Sequence, residues 1–142
     1  MPELPFKILG IEHVGISVDD LKGISDVFGD LLGLKLSSRE KIDDQQVITD
    51  IYETGSGKLE FLKATDKNSP ISRFIDKKGT GMDHIALMVD HLQPALDYLK
   101  NQGVHLIDTV PKIGAEGYQV AFIHPKSTGG ILVELCEKNR EK

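Results

Sequence analysis

Gly10-Ile11-Glu12-His13-Val14-Gly15-Ile16-Ser17-Val18-Asp19-Asp20-Leu21 returns 71 residues later as Gly81-Met82-Asp83-His84-Ile85-Ala86-Leu87-Met88-Val89-Asp90-His91-Leu92. Each copy sets a histidine early in an apolar strand-like run, directly after a carboxylate and ahead of a helix start. A single histidine in such a run is usually a core residue. Two at equivalent places in a duplicated chain point instead to a two-fold-related pair of ligands.

The repeat extends on both sides of each histidine. Loose alternation over 11–18 and 82–89 predicts two half-buried strands. Asp19, Asp20 and Asp90 can cap the helices that follow by accepting backbone N–H bonds. The first helix is expected to bury Leu21, Ile24, Phe28, Leu31 and Leu32 on one face and to stop at Gly33. The second is expected to bury Leu92, Ala95, Leu96 and Leu99 and to stop at Gly103. Three strand-like runs follow each helix, near 34–38, 46–53 and 58–62 in the first half and near 105–108, 118–123 and 130–136 in the second. Turns are marked by Gly55-Ser56-Gly57 and by the stretch 125–130. Between the halves, Ser69-Pro70 reads as a cap and first-turn proline opening a short helix over 71–77, with Ile71, Phe74 and Ile75 apolar. The tail beyond Glu137 is charged and expected to fray.

These elements predict an α+β chain of two βαβββ modules, about 8–63 and 81–137, joined by a linker helix over about 69–78. Together they are expected to make one domain over 1–142.

A chain of 142 residues with 39% hydrophobic and 27% charged residues is ordinary for a globular protein. Its net charge of −5 and lack of a basic stripe argue against nucleic acid. No apolar run reaches the roughly 18–20 residues that span a bilayer. Met1-Pro2-Glu3-Leu4-Pro5-Phe6 lacks the charged and apolar regions of a signal peptide. The one cysteine, Cys136, admits no internal disulfide. A cytoplasmic setting is the expectation.

A second pair of residues is also duplicated. Leu59-Glu60-Phe61-Leu62 matches Val133-Glu134-Leu135-Cys136, each with one carboxylate inside an apolar strand. An ionised carboxylate there costs several kcal/mol unless it is paired or coordinates a cation. His13, Glu60, His84 and Glu134 together make a mixed nitrogen and oxygen donor set suited to a divalent metal. Lys126 and Ser127, in the loop before the Glu134 strand, are candidates for binding an anionic group. Read singly, each of these residues fits a solvent-facing or core position; their shared repeat register favours the ligand set.

The duplicated module with one histidine and one carboxylate per half resembles the vicinal oxygen chelate superfamily. Within it, the methylmalonyl-CoA epimerases are most similar. That likeness rests on Asn68-Ser69-Pro70-Ile71-Ser72-Arg73-Phe74-Ile75-Asp76-Lys77-Lys78-Gly79, on Gly103-Val104-His105-Leu106-Ile107-Asp108, and on Ala121-Phe122-Ile123-His124-Pro125-Lys126-Ser127-Thr128-Gly129-Gly130-Ile131-Leu132-Val133-Glu134-Leu135. The resemblance places His13, Glu60, His84 and Glu134 on the family's four metal positions. It implies a curved mixed β-sheet cup around a metal site with helices outside, one divalent ion per chain (Co, Mn, Ni, Zn or Mg), an acyl-CoA substrate and a homodimer. Asp83 replaces a histidine that the family often has there and should point to the opposite sheet face.

The resemblance further implies inversion at a carbon between a thioester and a carboxylate, through an enediolate that the metal stabilises. Glu134 is the expected proton-transfer group as well as a ligand. A second acid–base group is sought around Thr49, Asp50 and Glu53. A tight turn at Gly55-Ser56 would put Thr49, Ile51 and Glu53 on the Glu60 face, whereas Asp50 would need a bulge. A glyoxalase I-like lyase acting on a glutathione hemithioacetal uses the same donors and is the alternative; a metal-free resistance-type binding protein and a ring-cleaving dioxygenase fit the four donors less well.

Overall fold

The computed structural model describes residues 3–139. The signal-peptide expectation at Met1 and Pro2 and the fraying expected of residues 140–142 lie outside the described residues. The chain forms two compact units, one of residues 13–83 and the other of residues 84–139 with the N-terminal segment to Glu12. Among the described residues no helix is long and apolar enough to cross a membrane.

In the first unit, the strands β1 (Ile8–Ser17, from His13 on), β2 (Lys35–Ile42), β3 (Val47–Glu53) and β4 (Lys58–Ala64) lie in the order β2-β3-β4-β1. β1 runs parallel to β4, with Gly15 opposite Glu60; β3 is antiparallel to β4, with Ile51 opposite Glu60. The four-residue turn from Thr54 to Gly57, closed by the Thr54 N–H to Gly57 C=O bond, sets that register. Helix α1 (Leu21–Ile24) starts at Asp20, whose carboxylate accepts from the Lys22 N–H. It continues as a wider π-helical segment, Ser25–Leu31. Its apolar side, with Leu21, Ile24 and Phe28, covers Ile16, Tyr52, Leu59 and Phe61 on one sheet face. Leu31 and Leu32 do not join it; they are 79% and 62% exposed. The wide turns rotate the chain less per residue, so a face computed for an ordinary α-helix drifts off the core by Leu31. Gly33 ends the helix at φ 77°, as expected.

Helix α2 (Pro70–Lys78) is capped by Ser69, whose hydroxyl accepts from the Ile71 N–H. It packs on the other sheet face, Ile71 and Ile75 meeting Val47, Leu62 and Ala64.

The second unit orders its strands β5-β8-β7-β6, from β5 (Gly81–Val89, from His84 on), β6 (Lys112–Ile113), β7 (Gln119–Ile123) and β8 (Val133–Glu137). Helix α3 (Leu92–Asn101) buries Leu92, Ala95 and Leu96 completely against Val89, Ala121, Ile123 and Leu135. Full burial of each leucine is worth about 1.5–3 kcal/mol. The N-cap position of α3 falls to His91, whose side chain makes no capping bond. Asp90 accepts instead from the Lys7 N–H at 2.7 Å, and the Asp90 N–H donates to the Lys7 C=O. The start of α3 is capped from a distance: the Leu92 N–H donates to Glu137 Oε1 at 2.6 Å.

The run 105–108, expected as a strand, contributes one bridge, Leu106 to Ile123. The Asp108 carboxylate accepts from the Phe122 N–H, while Ile107 and Asp108 both donate to the Phe122 carbonyl. A side chain thereby replaces the ladder, and β6 takes the sheet edge. The run from 130 becomes strand only at Val133, since Gly129 and Gly130 hold positive φ. The α+β class and the repeated βαβββ order stand, with apolar clusters under α1 and α3.

Candidate functional site

Strand parity brings the predicted residues onto the face opposite α1 and α3. In the first unit, Gly15 of β1 and Ile51 of β3 stand opposite Glu60, so His13, Glu60, Ile51 and Thr49 share a face. His13 Nδ1 lies 3.0 Å from Glu60 Oε2, and both side chains are only 5% exposed. In the second unit, Ala86 and Phe122 flank Glu134. His84 Nε2 lies 3.0 Å from Glu134 Oε1, with side-chain exposures of 6% and 8%. The Phe122 ring meets His84 edge-on at 5.6 Å and 80°. Each module thus makes one buried imidazole–carboxylate pair at the same repeat position.

That chemistry fits a cation. A divalent ion shared between an imidazole nitrogen and a carboxylate oxygen satisfies both donors in a buried place. Nitrogen and oxygen donors in equal number suit Mn, Co, Ni or Zn, with Mg as the harder limit.

The three residues considered for the second acid–base role separate clearly. Asp50 is fully buried and faces the other way; Arg39 Nε and Nη2 donate to its two oxygens at 2.6 and 2.8 Å. No bulge interrupts the β3–β4 pairing to turn it round. Glu53 shares the Glu60 parity but sits exposed at the strand end, opposite Lys58. Thr49 is fully buried on the Glu60 face, and its hydroxyl has no hydrogen-bond partner among the described residues.

One carboxylate on that face was not among the sequence candidates. β2 extends to Ile42, and Glu40 stands opposite Thr49. Its side chain therefore shares the face of Glu60, half-buried, with the Ser38 hydroxyl 3.4 Å from Oε2. The signal lay in the hairpin charges: pairing Arg39 with Asp50 fixes the register, and Glu40 then follows onto the Glu60 face.

Lys126 and Ser127 form a 3₁₀ turn in the loop between β7 and β8, which leaves the sheet one rung beyond Phe122 and Glu134. Lys126 is exposed. The Ser127 hydroxyl accepts from the His105 N–H at 2.8 Å, which leaves its own proton to donate. His124 caps this turn, its Nδ1 accepting from the Lys126 N–H, and its ring stacks on His105 at 4.5 Å. Cys136 is buried beside the Leu87 carbonyl, a packing role.

The profile of the Glyoxalase/Bleomycin resistance protein/Dioxygenase superfamily matches residues 12–122. The mitochondrial methylmalonyl-CoA epimerase of Mus musculus is 35% identical over 131 residues, 92% of this chain and 74% of that protein. The ethylmalonyl-CoA/methylmalonyl-CoA epimerase of Cereibacter sphaeroides is 34% identical, over 88% of this chain and 95% of that protein. The crystal structure of methylmalonyl-CoA epimerase from Mycobacterium tuberculosis aligns with a TM-score of 0.90 at 32% identity, over 94% of this chain and 90% of that one.

Proposed function

The chain belongs to the glyoxalase/bleomycin resistance protein/dioxygenase superfamily, and on that premise we propose that it is a metal-dependent epimerase interconverting the C2 epimers of methylmalonyl-CoA. The observation that carries this reading is the pair of buried His–Glu contacts, His13 with Glu60 and His84 with Glu134, at equivalent places in the two modules. Epimerases among the relatives supply the substrate class.

In this reading His13, Glu60, His84 and Glu134 hold one divalent ion. When bound, that ion supplies Lewis-acid stabilisation of negative charge developing on the substrate oxygens. The chain's own groups move the proton. Glu134 takes the C2 proton from one face of the substrate, and Glu40 serves the other. Its half-buried place on the Glu60 face supports that role. Ile51, fully buried opposite Glu60, and Ala86, fully buried opposite Glu134, keep competing water from the two carboxylates. Lys126, exposed on its loop, offers its ammonium to a coenzyme A phosphate, and the Ser127 hydroxyl donates to substrate. The single cysteine, buried, suits a reducing cytoplasm. A homodimer accounts for the exposed apolar run Ile8, Leu9 and Ile11 on β1, at 49%, 62% and 58% exposure.

Solvent exchange tests the function. In D₂O the metal-loaded protein should wash deuterium into C2 of methylmalonyl-CoA and equilibrate its epimers. Isomerisation of the methylglyoxal–glutathione hemithioacetal without such exchange would replace the epimerase by a lyase. Exchange that survives complete metal removal would refute the metal dependence.

A further inference from the structure

One cation on the Glu134 face is held in place by the fold itself. Lys112 pairs with Val120, and Val120 with Cys136, so Lys112 has the parity of Glu134. It stands two strand spacings from β8, about 10 Å, and its side chain leans back over the sheet. Lys112 Nζ sits 5.0 Å above the centroid of Phe122, the ring that meets His84 edge-on at 5.6 Å. Asp108 Oδ2 lies 3.5 Å from the same ammonium and also accepts from the Phe122 N–H. Gly114 lets the strand lie this close: a Cβ there would come within 2.9 Å of Val120 Cγ1. The Lys112 side chain remains 43% exposed, so its donors reach solvent and any ligand on that face. Around it the face is apolar, with Ala86, Val120 and Cys136 buried and Met88 and Tyr118 packed against them.

We propose that Lys112 is a specificity-determining residue that binds the free carboxylate of the acyl-CoA substrate. This rests on the epimerase reading above and deepens it. A malonyl-type thioester differs from an ordinary acyl-CoA by that carboxylate, and the carboxylates of Glu40, Glu60 and Glu134 on the site faces repel it. An ammonium tethered by Asp108 and cushioned on Phe122 offsets that repulsion at one place. Its hold on Phe122, which touches His84, aims it at the pair with Glu134. Asp108 is a positioning residue in this scheme, fixing Lys112 and the β7 backbone with one carboxylate oxygen.

The test compares two acyl-CoA ligands on the metal-loaded protein: methylmalonyl-CoA, and propionyl-CoA, which lacks the carboxylate. Lys112→Met keeps the stem over Phe122 and removes the charge. It should weaken methylmalonyl-CoA binding and raise its KM by about tenfold or more, the size of a lost charge-assisted hydrogen bond. Propionyl-CoA binding, measured calorimetrically, should stay within about twofold of wild type, and Lys112→Arg should recover part of the loss. Equal weakening of both ligands would overturn the proposal, because the ammonium would then contact the coenzyme A portion or only support the fold. Unchanged binding of both would overturn it as well. Failure of the wild type itself to exchange the C2 proton would instead remove the epimerase reading, and this inference with it.

Discussion

Glu40 on β2 stands directly opposite Thr49 on β3, which places its carboxylate on the same sheet face as Glu60 and His13. Two-base epimerisation needs one proton carrier on each side of the substrate carbon. Replacing Glu40 by Gln keeps the shape and removes the carrier. Interconversion of the epimers should fall by about 10²-fold or more. Deuterium should still enter C2 of one epimer without inversion, through Glu134. Bound metal, measured by elemental analysis, should be unchanged. Equal loss of exchange from both epimers would point to a structural part for Glu40, and full activity would remove it from the mechanism.

The buried pairs make a metal-linked stability prediction. An ion that binds only the folded chain raises the unfolding midpoint in proportion to the logarithm of its concentration. Wild-type protein should therefore melt higher with added Mn²⁺ or Co²⁺ than after chelation. His84→Ala and Glu60→Gln should each erase most of that difference and lower the bound metal, while circular dichroism after chelation stays that of the wild type. A metal-independent melting temperature in the wild type would refute the site.

Arg39 and Asp50 tie β2 to β3 on the opposite face. Asp50 is fully buried and takes both of its close bonds from a guanidinium whose side chain is 55% exposed. Arg39→Ala leaves that carboxylate buried against the sheet and should cost about 1–3 kcal/mol, below the figure for a fully buried pair because water reaches the Arg39 side. Lysine at 39 should recover only part, since it cannot bridge two oxygens in one plane. Urea denaturation measures both. Because Asp50 faces away from Glu60, the Arg39 variants should retain KM; a KM change larger than the stability loss explains would contradict the face assignment.

Much of this arrangement was legible in the repeat. Gly33 and Gly103 marked both helix stops, and the short turn at Gly55 set the register that brings Ile51 opposite Glu60. What escaped was set by tertiary contacts. The π-helical turns at Ser25–Leu31 left Leu31 and Leu32 exposed although their spacing looked apolar and periodic. Asp90 carried every local mark of a helix cap, yet Lys7, far away in sequence, claimed it, and Glu137 supplied the cap to Leu92. Glu40 leaves no local signal because the strand-like pattern of β2 fades near Ser38, short of the rungs that pair Arg39 with Asp50 and Glu40 with Thr49. Local pattern finds elements and turns; a cap or a strand extension that depends on a distant partner leaves no local trace.

The two carboxylate contacts around the start of α3 give separate stability predictions. Glu137→Ala removes the acceptor of the Leu92 N–H at the start of α3 and should cost about 1–2 kcal/mol near neutral pH, as loss of a helix cap does. Asp90 acts through its charge. The Lys7 N–H bonded to its carboxylate holds its pKa below the usual aspartate range, chiefly through that backbone hydrogen bond. A depressed carboxylate pKa contributes stability that is present above the unfolded value, about 3.9, and lost as pH falls through the lower folded value. Asp90→Asn removes the charge and keeps an acceptor. Its denaturation midpoint should lie below that of the wild type at pH 7, by a constant gap down to about pH 5, and the gap should close as the pH drops through 4 and below. A gap that widens on acidification would mean that Asp90 is destabilised by its ionisation, and the Lys7 contact would then be the wrong account of this junction.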